Sequence, residues 1–266
     1  MYATRSSNDF APIDDLVVAL KRIEAWCVSW QLGLAPDKCS VLHISTNRKS
    51  PQLLPYHYSI NDIPLKACPY IRDLGIIVDN RLKFSEHISN ITRIAITRAK
   101  LILKCFLSGS QDLLVKAFIT YVRPILEYCS PVWTPHQRYL IDKVEYVQRY
   151  FTKRIRGMWN IPYDQRLDLL NLKSLEYRRV VNDLTMCYRI LHGYIDTSMS
   201  MFFTVNTAAR TRGHDQRLYL LSFSKDIGKF LFTNRVIKMW NDLPADVVHA
   251  PSLPSFKKRL LDRISF

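Results

Sequence analysis

At Ser85 the hydrophobic period of this chain changes from two to 3.6, and it holds there almost to the C-terminus. A fold built mainly from strands cannot accommodate such a tail, because a strand turns alternate side chains to opposite faces while a helix returns every third or fourth to the same one. Ile88, Ile91, Ile94, Ala95, Ala99, Ile102 and Leu103 mark the first helix. Residues 111–128 mark a second, which Pro124 is placed to kink, and 136–156 a third. After a break at 157–162 the same period predicts helices over 163–171, 174–192, 226–241 and 252–264, with 194–225 the least periodic stretch.

Ahead of Ser85, residues 14–32 place Leu16, Leu20, Ile23, Trp26, Cys27 and Trp30 at helical spacing and stop at Gly33. A short strand is predicted over 40–44 and a polar loop over 47–55. Residues 57–66 alternate around Asn61-Asp62 as a hairpin, and the run Leu74 to Val78 between Asp73 and Asp79 reads as one further strand. The fold class is therefore α+β, mostly α-helical, with a small antiparallel sheet followed by a helical bundle and a C-terminal helical region. With 266 residues, 48% of them hydrophobic, the chain can fill one large core or two small ones. If the apolar face of helix 14–32 and the sheet edge are left uncovered, aggregation is the expected hazard.

Thirty-eight Lys and Arg against 23 Asp and Glu give a formal charge of +15, which favours a polyanionic partner. The six cysteines show no C-x-x-C and no zinc-ligand spacing, so they read as reduced core thiols of an intracellular protein, with nucleus and cytoplasm undistinguished. Neither a signal-peptide pattern nor a run of about 18 uncharged apolar residues occurs, so no membrane is expected as partner. Seven glycines, none in a phosphate-cradling pattern, exclude a Gly-loop nucleotide site.

Asp14-Asp15 follows Pro12 at a helix start, where carboxylates cap free N–H groups and meet the positive end of the dipole. Asp73 and Asp79, six apart on one strand, would share a face about 20 Å from each other, too far to share a metal. His136, His192, His214 and His249 lack acidic or thiol partners at telling spacing, so no metal site is expected. Cys129 and Ser130 have no base in view, which leaves a hydrolase as a remote reading. On 136–156, Arg149, Lys153 and Arg156 stand at i, i+4 and i+7, opposite Val144, Val147, Phe151 and Ile155, as a ridge able to meet a phosphate backbone. Arg178, Arg179, Arg210, Arg212, Lys257, Lys258 and Arg259 add further candidate phosphate contacts.

Eight ordered blocks, AWCVSWQL, PDKCSVLHI, YIRDLGIIVDNRLKFSEHI, YVRPILEYCSPVW, VEYVQRYFTKRI, RLDLLNLKSLEYRR, RTRGHDQRL and FTNRVIKMWNDLPADVVHAPSLPSFKKRL, span nearly the whole chain. Together they resemble the C-terminal part of reverse transcriptases from non-LTR retrotransposons of the jockey and CR1 type. The resemblance implies that 1–84 is a partial palm, 85–160 a thumb-like helical region and 161–266 a C-terminal helical region. It implies that Lys38 lies near the incoming nucleotide and that Leu74 and Gly75 lie near the primer terminus, as a primer-grip-like pair. It also implies an RNA template, an RNA–DNA hybrid or a DNA duplex as partner.

The family's paired aspartates are missing. Met1-Tyr2-Ala3-Thr4-Arg5 sits where their hairpin would end, with Thr4 and Arg5 in their place. The resemblance therefore implies that the catalytic residues, the fingers and the endonuclease are absent. The Mg²⁺ of the full-length family would have no ligands here, so this chain would need no cofactor and polymerise nothing alone. A domesticated, non-enzymatic helical module that binds nucleic acid or protein is the alternative.

Overall fold

Two compact units divide the chain, residues 1–82 and 83–266. The computed structural model describes residues 11–44, 58–106, 110–206, 213–223 and 225–264.

In the first unit, α1 (Ala11–Ser29) ends in a turn where Gln31 takes the left-handed conformation and the Leu32 N–H returns to the Cys27 carbonyl at 2.8 Å. The stop is thus Gln31 rather than Gly33. Because α1 starts at Ala11, Asp14 and Asp15 lie inside the helix and not at its cap. Cys27 is buried, whereas Trp26 and Val28 of the same helix, and Trp30 in the turn after it, are exposed.

Among the described residues the strands form three separate pairs, not one antiparallel sheet. A 3-10 turn, Pro36–Lys38, leads into β1 (Ser40–Val41), which pairs in parallel with β4 (Lys66–Ala67). Between them, β2 (Ser59–Ile60) and β3 (Ile63–Pro64) form the expected hairpin. Asn61 and Asp62 both have positive φ, 50° and 59°, which a tight two-residue turn requires and which these side chains tolerate. Glu24 of α1 accepts the Asn61 N–H at 2.6 Å and ties that turn to the helix.

The run 70–79 is also a hairpin and not a single strand. In it β5 (Tyr70–Asp73) pairs with β6 (Ile76–Asp79), Asp73 opposite Ile76 and Tyr70 opposite Asp79. Leu74 and Gly75 form the two-residue turn, with φ 44° and 89°. Asp73 shares a face with its partner Ile76, and Asp79, three residues further on, takes the opposite one. The two carboxylates therefore do not share a face, and they are about 10 Å apart along the ladder instead of 20. Asp79 turns back to accept the Arg81 N–H at 2.9 Å, closing the strand as an Asp-led turn.

The second unit is helical. α2 (Ser85–Cys105) buries Ile88, Ile91, Ala95, Ala99 and Ile102. α3 (Gln111–Ala117) opens on a Ser110 cap and runs through a widened π turn, Phe118–Val122, into α4 (Arg123–Glu127). Pro124 has no N–H and would collide with the carbonyl four residues back, so the turn before it opens to i→i+5 spacing, seen as Arg123 N–H on the Phe118 carbonyl. After α5 (Ser130–Trp133), α6 (Arg138–Lys153) lays Leu140, Val144, Val147 and Phe151 against α2, with the Phe151 ring 4.8 Å from Phe118.

α7 (Tyr163–Leu169) and the Ser174-capped α8 (Leu175–Leu191) follow. Among the described residues the α-helices that follow are α9 (Asp226–Phe230), α10 (Phe232–Asn241), α11 (Ala245–Val248) and α12 (Leu253–Arg263). The predicted helix 226–241 is split at Leu231, whose ψ of 148° is extended. A second core gathers Leu184, Cys187, Tyr188, Val236, Trp240, Val247, Phe256 and Leu260 from α8 and α10–α12. Each such large side chain contributes about 1.5–3 kcal/mol on burial. Its polar tips are satisfied: the Tyr188 hydroxyl donates to the Ala250 carbonyl at 2.6 Å and the Trp240 indole N–H to Gln216 at 2.9 Å. Among the described residues no helix is long and apolar enough to cross a membrane.

Candidate nucleic-acid interface

Helix α6 has two contrasting faces. On the inner one, Glu145 is buried and accepts the N–H groups of Leu175 and Glu176 at 3.1 and 3.2 Å, closing the N-terminus of α8. The Tyr163 hydroxyl donates to the same carboxylate, and Gln148 donates to that hydroxyl and to the Lys173 carbonyl, both at 3.0 Å. Burial, reinforced by the Glu145 charge, pushes the Tyr163 phenol far above its usual range. This network fixes how α6 is rotated, and hence which side chains face outward.

At 3.6 residues per turn the outward face carries Tyr139, Lys143, Tyr146, Tyr150, Lys153 and, in the C-cap, Arg154, all within about 100° of arc. Tyr139 and Tyr146 are 61% and 56% exposed, more than a tyrosine that serves a core would be. The Tyr146 and Tyr150 rings are 6.1 Å apart, and the Arg154 guanidinium lies 3.5 Å over the Tyr150 ring. Lys153 stands 4.5 Å over the ring of Trp159, itself 63% exposed just beyond the helix. Lys143 donates to the Ser89 hydroxyl at 2.7 Å, leaving its charge at the surface. The acidic residues of α6 are Asp142 and Glu145. Glu145 points inward, and Asp142 is held by Arg138 at 3.0 Å with Arg149 3.9 Å away. The face is thus cationic and aromatic with no carboxylate of its own.

Beside it, Arg149 and Arg166 lie 5.0 and 5.4 Å from the centre of the Tyr163 ring, so two guanidiniums share one aromatic ring. Arg166 is buried, and burial lowers its pKa.

No protein-family model matches the chain, and no solved structure does. An uncharacterized protein of Caenorhabditis elegans is 31% identical over 126 residues, which is 46% of this chain and 64% of that protein. The RNA-directed DNA polymerase from the mobile element jockey of Drosophila funebris is 27% identical over 158 residues, 58% of this chain and 17% of the polymerase. A probable RNA-directed DNA polymerase from the transposon X-element of Drosophila melanogaster is 26% identical over 162 residues, 59% of this chain and 17% of that protein. The chain carries a region related to non-LTR retrotransposon RNA-directed DNA polymerases. It spans less than two thirds of the nematode protein and only a small part of either polymerase.

The expected basic ridge is only partly assembled. Lys153 is on the open face; Arg149 is half-buried between Asp142 and Tyr163; Arg156 is exposed but lies past the end of α6, so it does not continue the helical stripe. Arg178 and Arg179 are drawn away from any surface phosphate. Arg178 makes an ion pair with Glu127 through two nitrogens, and Arg179 is 2% exposed. Burial lowers the Arg179 pKa, opposed by Glu145 and then by Glu176, Asp183 and Glu127. Lys257 and Lys258 are exposed on α12, while Arg259 donates to the Asp246 carbonyl. Lys38 is exposed at the end of the 3-10 turn, and Leu74, 84% exposed, stands with Gly75 at the tip of the second hairpin. Arg210, Arg212 and the segment Met1 to Arg5 lie outside the described residues.

Sequence reasoning missed Tyr139, Tyr146, Tyr150, Trp159 and Arg154. Their i, i+7, i+11 spacing was available, but tyrosines at helical spacing fit a core face equally well until Glu145 and Gln148 fix the rotation. The expectation of core cysteines holds for Cys27 and Cys187, whereas Cys105 and Cys129 are exposed. His249, read as partnerless, meets Asp215 at 2.7 Å. Among the described residues no group of three or more His, Cys, Asp or Glu is placed to hold a metal ion. Asp73 and Asp79 are on opposite faces of their hairpin and Asp15 is exposed on α1, so these three carboxylates do not converge on one site.

Proposed function

We propose that this chain is the palm end, thumb and C-terminal helical part of a non-LTR retrotransposon reverse transcriptase, and that by itself it binds nucleic acid without polymerising. The partial likeness to the jockey and X-element polymerases carries this reading. Two structural features support it. The carboxylate-free outer face of α6 offers Lys143, Lys153 and Arg154 to a phosphate backbone, with Arg156, Lys257 and Lys258 as further exposed cations. The Leu74-Gly75 turn holds a strongly exposed leucine in a left-handed conformation, a combination of strain and apolar exposure that folding alone does not favour and that suits close contact with a primer. Lys38, exposed ahead of β1, is the residue assigned to the neighbourhood of the incoming nucleotide.

The test is titration of the purified chain into fluorescein-labelled RNA–DNA hybrid and single-stranded RNA at several salt concentrations, followed by anisotropy. Affinity should fall linearly on a log–log plot with a slope set by the number of phosphates contacted. Absence of binding at low salt defeats the reading. Primer extension on an RNA template with Mg²⁺ and deoxynucleotides should give no product, and a product would overturn the claim that the chain does not polymerise alone.

A further inference from the structure

We infer that the outer face of α6 is a stacking platform for single-stranded nucleic acid, its rings taking unpaired bases and its cations the intervening phosphates. The inference rests on the nucleic-acid reading above and specifies its substrate as an unpaired strand.

The geometry distinguishes a strand from a duplex. Bases in a duplex hide their faces in the stack and present edges and phosphates, so exposed rings add nothing to duplex binding. An unpaired base has a free π-face, and stacking on an aromatic side chain is sequence-tolerant because every base has one. On α6, Tyr139 and Tyr146 are more than half exposed, and Trp159 is 63% exposed beside Lys153. Tyr150 is covered on one side by Arg154 at 3.5 Å, which turns the ring and guanidinium into one stacked unit whose planar outer surface can take a base in the same way. From Tyr139 to Tyr150 the helix rises about 16 Å, the length of a short run of nucleotides.

Charge selects the occupant. Lys143, Lys153 and Arg154 alternate with the rings, Asp142 is engaged by Arg138, and the chain as a whole carries +15. An apolar protein partner would have to bury these cations without compensation, whereas a polyanion with planar bases satisfies both kinds of group.

The experiment compares the full chain's affinity for labelled oligo(dT), for an abasic strand of the same length and charge, and for a blunt duplex. The base-bearing strand should bind about tenfold or more tightly than the abasic one. Tyr139→Ala and Tyr146→Ala should each weaken binding to oligo(dT) about fivefold or more and leave the abasic strand unchanged. Tyr146→Phe, which keeps the ring, should bind as the parent does. Lys153→Gln should weaken both strands alike and reduce the salt slope by about one. Because the altered side chains are exposed, unchanged thermal melts should accompany these effects. Equal affinity for base-bearing and abasic strands, or tighter binding to the duplex with neutral tyrosine variants, overturns the stacking platform while leaving the nucleic-acid reading intact. Failure to bind any of the three defeats both.

Discussion

The Arg235 guanidinium of α10 meets the Asp183 carboxylate of α8 through two bonds, Nε to Oδ2 at 2.7 Å and Nη2 to Oδ1 at 3.0 Å, with the aspartate side chain only 2% exposed. The same guanidinium donates to the Pro131 and Phe230 carbonyls at 2.7 and 3.1 Å. One side chain thus joins α8, α10 and the starts of α5 and of the α9–α10 break. Burial pushes the Asp183 carboxyl up, and Arg235 pulls it back toward the ionised form.

Removing one partner of a buried pair leaves the other charge stranded. Arg235→Ala should therefore destabilise the chain by about 3–5 kcal/mol, read as a shift in the urea midpoint. Replacing both partners, Arg235→Met with Asp183→Leu, should recover much of that loss, because two apolar groups leave no charge to desolvate. Arg235→Lys should remain damaging, since a point-like ammonium cannot reproduce the two-pronged bond.

Glu145 and Arg179 should respond asymmetrically. Glu145 caps two α8 amides, receives Tyr163 and is the largest electrostatic support of buried Arg179. Glu145→Gln keeps its volume and loses its charge, and should cost about 2–4 kcal/mol in chemical denaturation. Arg179→Met should cost much less. Its Nη1 and Nη2 atoms donate to no partner among the described residues, while Glu127, Asp183 and Glu176 have Arg178, Arg235 and Arg138 respectively.

What could be read from the sequence follows how local each feature is. The Asn61-Asp62 turn and the helices after Ser85 were legible because side-chain chemistry within a few residues decides them. The hairpin at 70–79 was not, because leucine is a poor left-handed residue and the Ile-Ile-Val run after it reads as a continuous strand. The parallel pairing of Ser40-Val41 with Lys66-Ala67 spans more than twenty residues and leaves no local signature. Arg149 and Lys153 were found as charges, but their different surroundings depend on Asp142 and Tyr163. Arg178 and Arg179, adjacent in sequence, differ because a helix turns them by about 100°, one toward Glu127 and the other into the core.

Stability should fall on mild acidification. His192, stacked 4.0 Å from the Tyr188 ring, and His214, bonded to the Trp240 carbonyl at 3.1 Å, both have pKa values lowered first by burial. Their unfolded value is about 6.5. A depressed folded pKa means that the unfolded chain takes up the proton first. The stability contributed by the neutral rings is therefore complete above about pH 6.5 and is lost as pH falls through the folded values. His249 faces both rings, and Asp215 and Arg217 also face His214, with opposed effects. The melting temperature should be lower at pH 5.5 than at pH 7.5, a window above ordinary carboxylate titration. His192→Gln should flatten the difference.

Leu74 offers a test in which stability and binding move in opposite directions. Its φ of 44° is a left-handed conformation that costs a leucine about 1–2 kcal/mol, and at 84% exposure the side chain contributes little packing in return. Asparagine adopts this conformation readily and is a preferred residue at this position of a two-residue hairpin turn. Leu74→Asn should thus stabilise the first unit by about 0.5–1 kcal/mol, seen as a raised melting temperature. Gly75→Ala, at φ 89°, should destabilise it by about 1 kcal/mol or more. If the leucine is retained to contact a primer, the more stable Leu74→Asn chain should bind an RNA–DNA hybrid less tightly. Unchanged affinity would reduce this turn to a strained loop with no role in holding nucleic acid.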